Sequence, residues 1–134
     1  MDSFGEMGSL FSLANLVILG GSFMPKGGHN PLEPAALGLP IITGPHIFKN
    51  SAEFAGLRDV GVVFDVAETD VGFDAAITGQ KLAKLVIAIA NDKPARHRIA
   101  SAAKAYAMAA TERSHIAARK IVLETMKQPV KTNR

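Results

Sequence analysis

Residues 16–43 read LVILGGSFMPKGGHNPLEPAALGLPIIT, and the way this stretch divides decides the fold. LVIL is apolar at every position and stops at Gly20 and Gly21, which predicts a strand buried on both faces, as in a parallel sheet. PLEPAALG, residues 31–38, predicts a short helix. Asn30 is placed to cap it, Pro31 suits its first position, and Glu33 stands third, where a carboxylate can reach back to the cap amide. Gly38 supplies the stop and Pro40 follows it. PIIT, residues 40–43, is a second apolar run. Strand, loop, helix and strand make one βαβ unit.

The pattern continues outward. SAEFAGLRDVG, residues 51–61, predicts a helix, and VVFDV, residues 62–66, a third strand. Leu82, Leu85, Val86 and Ile89 follow helical spacing. Pro94 fits the first turn of a long alanine-rich helix expected to break near Thr111, beyond which Ile116, Leu123 and Met126 share a face. GEMGSLFSLAN, residues 5–15, predicts a short helix with Leu10, Leu13 and Ala14 on one side. The domain is assigned to residues 1–127, with 128–134 as a frayed basic tail. The fold class is α/β, a Rossmann-like parallel sheet flanked by helices. Three strands make a thin sheet and the chain opens on a helix, so the first strand is expected to have lost a neighbour. Such an open edge favours pairing with another chain.

Composition narrows the function. The chain has 134 residues, 48% hydrophobic and 20% charged, with a net charge of +3. That suits one domain with a real core. Aromatics are 6% and tryptophan is absent, too few for a surface that stacks single-stranded nucleic acid. Cysteine is absent, which excludes disulfides and thiolate metal sites. No run approaches the ~20 residues of a membrane span, and the start lacks the pattern of a signal peptide. The cytoplasm is the expected compartment.

The loop between the first strand and the helix sits past the carboxyl end of a parallel strand, where open α/β sheets bind ligands. Gly27 and Gly28 let backbone come close and turn amides toward an anion. Lys26 adds a full charge and the helix N-terminus a partial one. A carboxylate beside an anion site suits ribose hydroxyls. Glu33 thus has two readings, cap or ribose ligand. Ser22 is placed either to donate to a phosphate or to satisfy a turn.

The stretch GGSFMPKGGHNPLEPAALGLPIITGPH, residues 20–46, closely resembles the signature of Kdo (3-deoxy-D-manno-octulosonic acid) transferases, GGSxxxRGGHNPLEPAAxGxPVxxGPH. DSFGEMGSLFSLANLVILGGS is similar to the segment that precedes it in that family. The likeness is tight over about the first 50 residues and holds only in pattern afterwards. It implies the two-domain GT-B glycosyltransferase fold, of which this chain would carry part of the C-terminal nucleotide-binding domain. It implies transfer of Kdo from CMP-Kdo to a lipid A precursor in lipopolysaccharide assembly, at the inner face of the bacterial inner membrane. No metal and no other cofactor is implied.

In the family's pattern, M-G-E and N-P-L-E line the CMP. The matching positions are Phe4, Gly5 and Glu6, then Asn30, Pro31, Leu32 and Glu33, with Ser22, Lys26, Gly27, Gly28 and His29 as further phosphate or sugar contacts. Phe4 replaces the family's methionine. Lys26 stands where arginine is common and lacks its bidentate fork. After GPH the family reads T-F-N-F, where this chain has Ile47, Phe48, Lys49 and Asn50. The resemblance puts the general base in an N-terminal domain, so no catalytic residue is assigned here and the chain alone is expected to be inactive, as a fragment, a truncated product or one piece of a split enzyme. Alternatives are a GT-B transferase using another nucleotide sugar, or a noncatalytic self-associating remnant. His29, His46, His97 and His115 lack metal-ligand spacing. Arg113, Arg119, Lys120 and Lys127 read as a solvated helix face.

Overall fold

The computed structural model describes residues 11, 13–66 and 75–126. Three short strands, β1 (Val17–Leu19), β2 (Ile41–Thr43) and β3 (Val63–Asp65), form a parallel sheet in the order β1-β2-β3. Val17 stands opposite Ile41 and Ile41 opposite Val63. The α-helices that flank it are α1 (Leu32–Ala36), α2 (Ser51–Asp59), α3 (Ala75–Asn91) and α4 (Lys93–Met126). This is the expected α/β class.

Topology decides which face each helix covers. Parallel neighbours need a crossover, and crossovers are overwhelmingly right-handed. Two successive crossovers stepping in one direction put α1 and α2 on the same face. Accordingly Val17, Leu19, Ile41 and Val63 pack with Ala35 of α1, Phe54 and Leu57 of α2, and Ala103 and Ala107 of α4. The opposite face is closed by α3: Ile42 and Val66 meet Ile89, with Leu82, Leu85 and Val86 beside them. β2 is therefore buried on both sides, which is why PIIT carries no polar alternation. The alanines of α4 let that helix lie close against α1. Phe54 and Leu57 are wholly buried, so truncating either to alanine should cost about 2–5 kcal/mol.

α1 ends as its sequence demands. Gly38 has φ +79, its N–H donates to Ala35 at 2.9 Å, and Leu39 donates to Pro34 at 3.0 Å. These two bonds make a Schellman stop, which needs the left-handed residue that glycine supplies.

The expected break near Thr111 is not there: α4 runs unbroken from Lys93 to Met126. The Thr111 hydroxyl donates to the Ala107 carbonyl at 3.0 Å, so its polar group is satisfied inside the helix. Residues 111–126 are all exposed, and they extend about 24 Å past the last buried alanine at the helical rise. The Arg113 guanidinium lies over the Tyr106 ring, 5.5 Å from its centroid. Of the N-terminal helix, only Phe11 and Leu13 fall among the described helical residues, and the tail lies outside them. Among the described residues no helix is long and apolar enough to cross a membrane. β1 has β2 as its one partner strand among the described residues.

Candidate nucleotide site

Two loops meet at the carboxyl ends of β1 and β2. The first, residues 20–31, leads from β1 into α1, and the second, residues 44–50, leads from β2 into α2. Ser22 is the bolt between them. It is fully buried, donates its hydroxyl to the Leu19 carbonyl at 2.5 Å and accepts from the Gly44 N–H at 2.7 Å. Its carbonyl accepts from the His46 N–H at 2.9 Å. The hydroxyl's one proton is thus committed inside the protein, and of the two readings of Ser22 the turn-satisfying one matches the geometry.

Further along, Gly27 and Gly28 have φ +91 and +75, the left-handed region that favours glycine. Gly27 is also pressed by the second loop. A Cβ there would lie 2.5 Å from Lys49 Cγ, 2.7 Å from Phe48 Cε2 and 2.8 Å from Lys49 Cδ. The Lys49 N–H donates to the Gly27 carbonyl at 3.3 Å. A Cβ on Gly28 would sit 3.2 Å from the His46 carbonyl. The glycine pair therefore owes part of its identity to the neighbouring loop, as well as to what it could expose.

Lys26, His29, Asn30 and Glu33 are exposed on this side. The His29 ring packs on Gly21, where a Cβ would stand 3.0 Å from it. Asn30 caps as expected: its Oδ1 accepts from the Leu32 N–H at 3.0 Å. Pro31 is helical in conformation, with φ −80 and ψ −11, and its side chain is buried. The reach-back of Glu33 is not formed. Among the described residues its carboxylate has no hydrogen-bond or ion-pair partner. The Asx turn by Asn30 takes the Leu32 N–H, and Glu33 faces solvent beside the loop. α1 has only five residues, so its dipole adds little to the site.

Phe4, Gly5 and Glu6 lie outside the described residues. Among the described residues no three His, Asp or Glu side chains gather as a metal-binding group. Sequence reasoning missed the fork between Arg58 and Asp65, with Nε to Oδ2 at 2.6 Å and Nη2 to Oδ1 at 2.7 Å. It ties the end of α2 to β3, and the bond to Asp65 raises the Arg58 pKa.

No family model matches the chain. A 3-deoxy-D-manno-octulosonic acid transferase of Haemophilus influenzae is 36% identical over 101 residues, which is 75% of this chain and 22% of that protein. One from Rickettsia bellii is 51% identical over 51 residues, 38% of this chain and 12% of that protein. In three dimensions the chain is similar to the crystal structure of the C-terminal CMP-Kdo binding domain of WaaA from Acinetobacter baumannii. That likeness has a TM-score of 0.65 and 25% identity, and it covers 79% of this chain and 50% of the other. The three-stranded parallel sheet and its flanking helices match part of a C-terminal domain of GT-B-like architecture. In sequence and fold the chain matches the C-terminal part of 3-deoxy-D-manno-octulosonic acid transferases. It spans 22%, 16% and 19% of the lengths of its Haemophilus influenzae, Chlamydia muridarum and Aquifex aeolicus relatives.

Proposed function

We propose that this chain supplies the donor-nucleotide part of a Kdo transferase and holds the CMP moiety of CMP-Kdo. The observation that carries the reading is that Lys26, the left-handed Gly27–Gly28 pair and the Glu33 carboxylate, unpaired among the described residues, all stand on the loop and helix start that follow β1. Lys26 and the glycine loop take the phosphate. Asn30, Leu32 and Glu33 line the nucleoside over the buried Pro31, with Glu33 accepting from the ribose hydroxyls, and His29 stands by the sugar. Phe4, Gly5 and Glu6 complete the CMP contacts.

In the whole enzyme CMP leaves as Kdo passes to a lipid A precursor, and Lys26 meets the charge that builds on the departing phosphate. The reaction belongs to lipopolysaccharide assembly at the inner face of the inner membrane. The base and acceptor surface belong to the N-terminal domain of the family, so these 134 residues alone should not turn over CMP-Kdo. β1 has no second partner strand among the described residues, which makes self-association the expected assembly behaviour.

Glu33→Gln and Lys26→Ala test the assignment, titrated with CMP and cytidine by calorimetry. A charge-assisted hydrogen bond contributes about 1.5–3 kcal/mol, so Glu33→Gln should weaken both ligands roughly tenfold or more at unchanged melting temperature. Lys26→Ala should weaken CMP while leaving cytidine nearly untouched. A Glu33→Gln variant that melts early yet binds CMP normally would remove Glu33 from the site.

A further inference from the structure

We infer that Lys49, from the second loop, is a further phosphate-binding cation of this site, an inference that rests on the nucleotide reading above. The placement comes from packing. The Lys49 stem lies across Gly27, its Cγ and Cδ 2.5 and 2.8 Å from where a Cβ on that glycine would be. Any other residue at position 27 would push the stem away. The backbone holds the same register, with the Lys49 N–H on the Gly27 carbonyl at 3.3 Å. The ammonium is two bonds beyond Cδ, within reach of the glycine pair that Lys26 precedes.

The chemistry agrees. Among the described residues Lys49 has no carboxylate partner, and the ion pair that forms joins Arg58 and Asp65. A phosphate monoester carries about −1.5 to −2 charges at pH 7, more than one lysine offsets. Lys26 lacks the two-pronged grip of an arginine. A second ammonium arriving from the other loop supplies charge from another direction. It also makes the site discriminate. A doubly charged phosphomonoester such as CMP gains more from two lysines than the singly charged phosphodiester of a nucleotide sugar.

Lys49→Met tests this, because methionine keeps most of the stem over Gly27 and removes the charge. The full chain and the variant are titrated with CMP and cytidine at low and high salt. The inference predicts that CMP weakens about fivefold, between the ranges for exposed ion pairs and charge-assisted bonds. Cytidine affinity and melting temperature stay as in wild type, the salt dependence of CMP binding flattens, and Lys49→Arg restores affinity. CMP affinity equal to wild type overturns the inference and leaves the nucleotide reading intact. Equal losses for CMP and cytidine with a lower melting temperature also overturn it, making Lys49 a packing residue. A wild-type chain that binds neither ligand overturns the nucleotide reading and this inference together.

Discussion

Gly27→Ala separates what the backbone needs at this loop from what a ligand needs. At φ +91, alanine pays the left-handed penalty of about 1–2 kcal/mol. The new methyl would also meet Lys49 Cγ at 2.5 Å and Phe48 Cε2 at 2.7 Å. Both side chains are exposed and can swing outward, so the clash costs far less than a buried one. The sum is about 2 kcal/mol, which for a chain of 134 residues lowers Tm by roughly 7 °C. Gly61 is the internal control, since it has φ +74 with nothing within 4 Å of a Cβ. Gly61→Ala should therefore lose only the conformational part, with CMP binding untouched. Gly27→Ala should lose a little more stability and, with Lys49 displaced, most of its CMP affinity. Thermal unfolding by circular dichroism and CMP titration on both variants read this out. If Gly27→Ala melts within about 1 °C of wild type, or binds CMP as well as Gly61→Ala does, the reasoning fails.

Ser22→Ala strands the buried Gly44 N–H and should cost about 1–3 kcal/mol in urea unfolding, with CMP-over-cytidine preference unchanged; loss of that preference at full stability would return Ser22 to the phosphate. Thr111→Pro should cost about 3 kcal/mol of helix stability and reduce helical ellipticity, whereas a helix already broken there would tolerate it. Arg58→Met removes a fork whose side chains are 38% and 37% exposed, so the loss should stay below about 1 kcal/mol and shrink in high salt; a larger loss at high salt would point to packing by the arginine stem.

The parts of the fold carried by local pattern were legible. Apolar runs closed by glycine marked β1 and β2, a mostly apolar run after Gly61 marked β3, and Asn30, Gly38 and Pro40 bounded α1. What was hidden depends on residues far apart in the chain. Lys49 crosses Gly27 only because β1 and β2 are neighbours, and no spacing rule joins positions 22 apart such as Gly27 and Lys49. Ser22 turns inward because Gly44 N–H needs an acceptor there. Thr111 looked like a break because threonine is a poor helix former, yet its hydroxyl bonds one turn back. Of the capping box only the Asn30 half formed, since Asn30 takes the Leu32 N–H and Glu33 does not reach back.

The central claim is that this pair of loops takes CMP. The most direct measurement is a titration of the wild-type chain with CMP, cytidine and UMP, followed by protein-observed NMR. Shifts should saturate with CMP and cluster at residues 20–33 and 44–50. Cytidine should bind more weakly because it lacks the phosphate, and UMP more weakly because its base differs. No saturable shift with CMP at several millimolar, or equal affinity for CMP and UMP, would contradict the account.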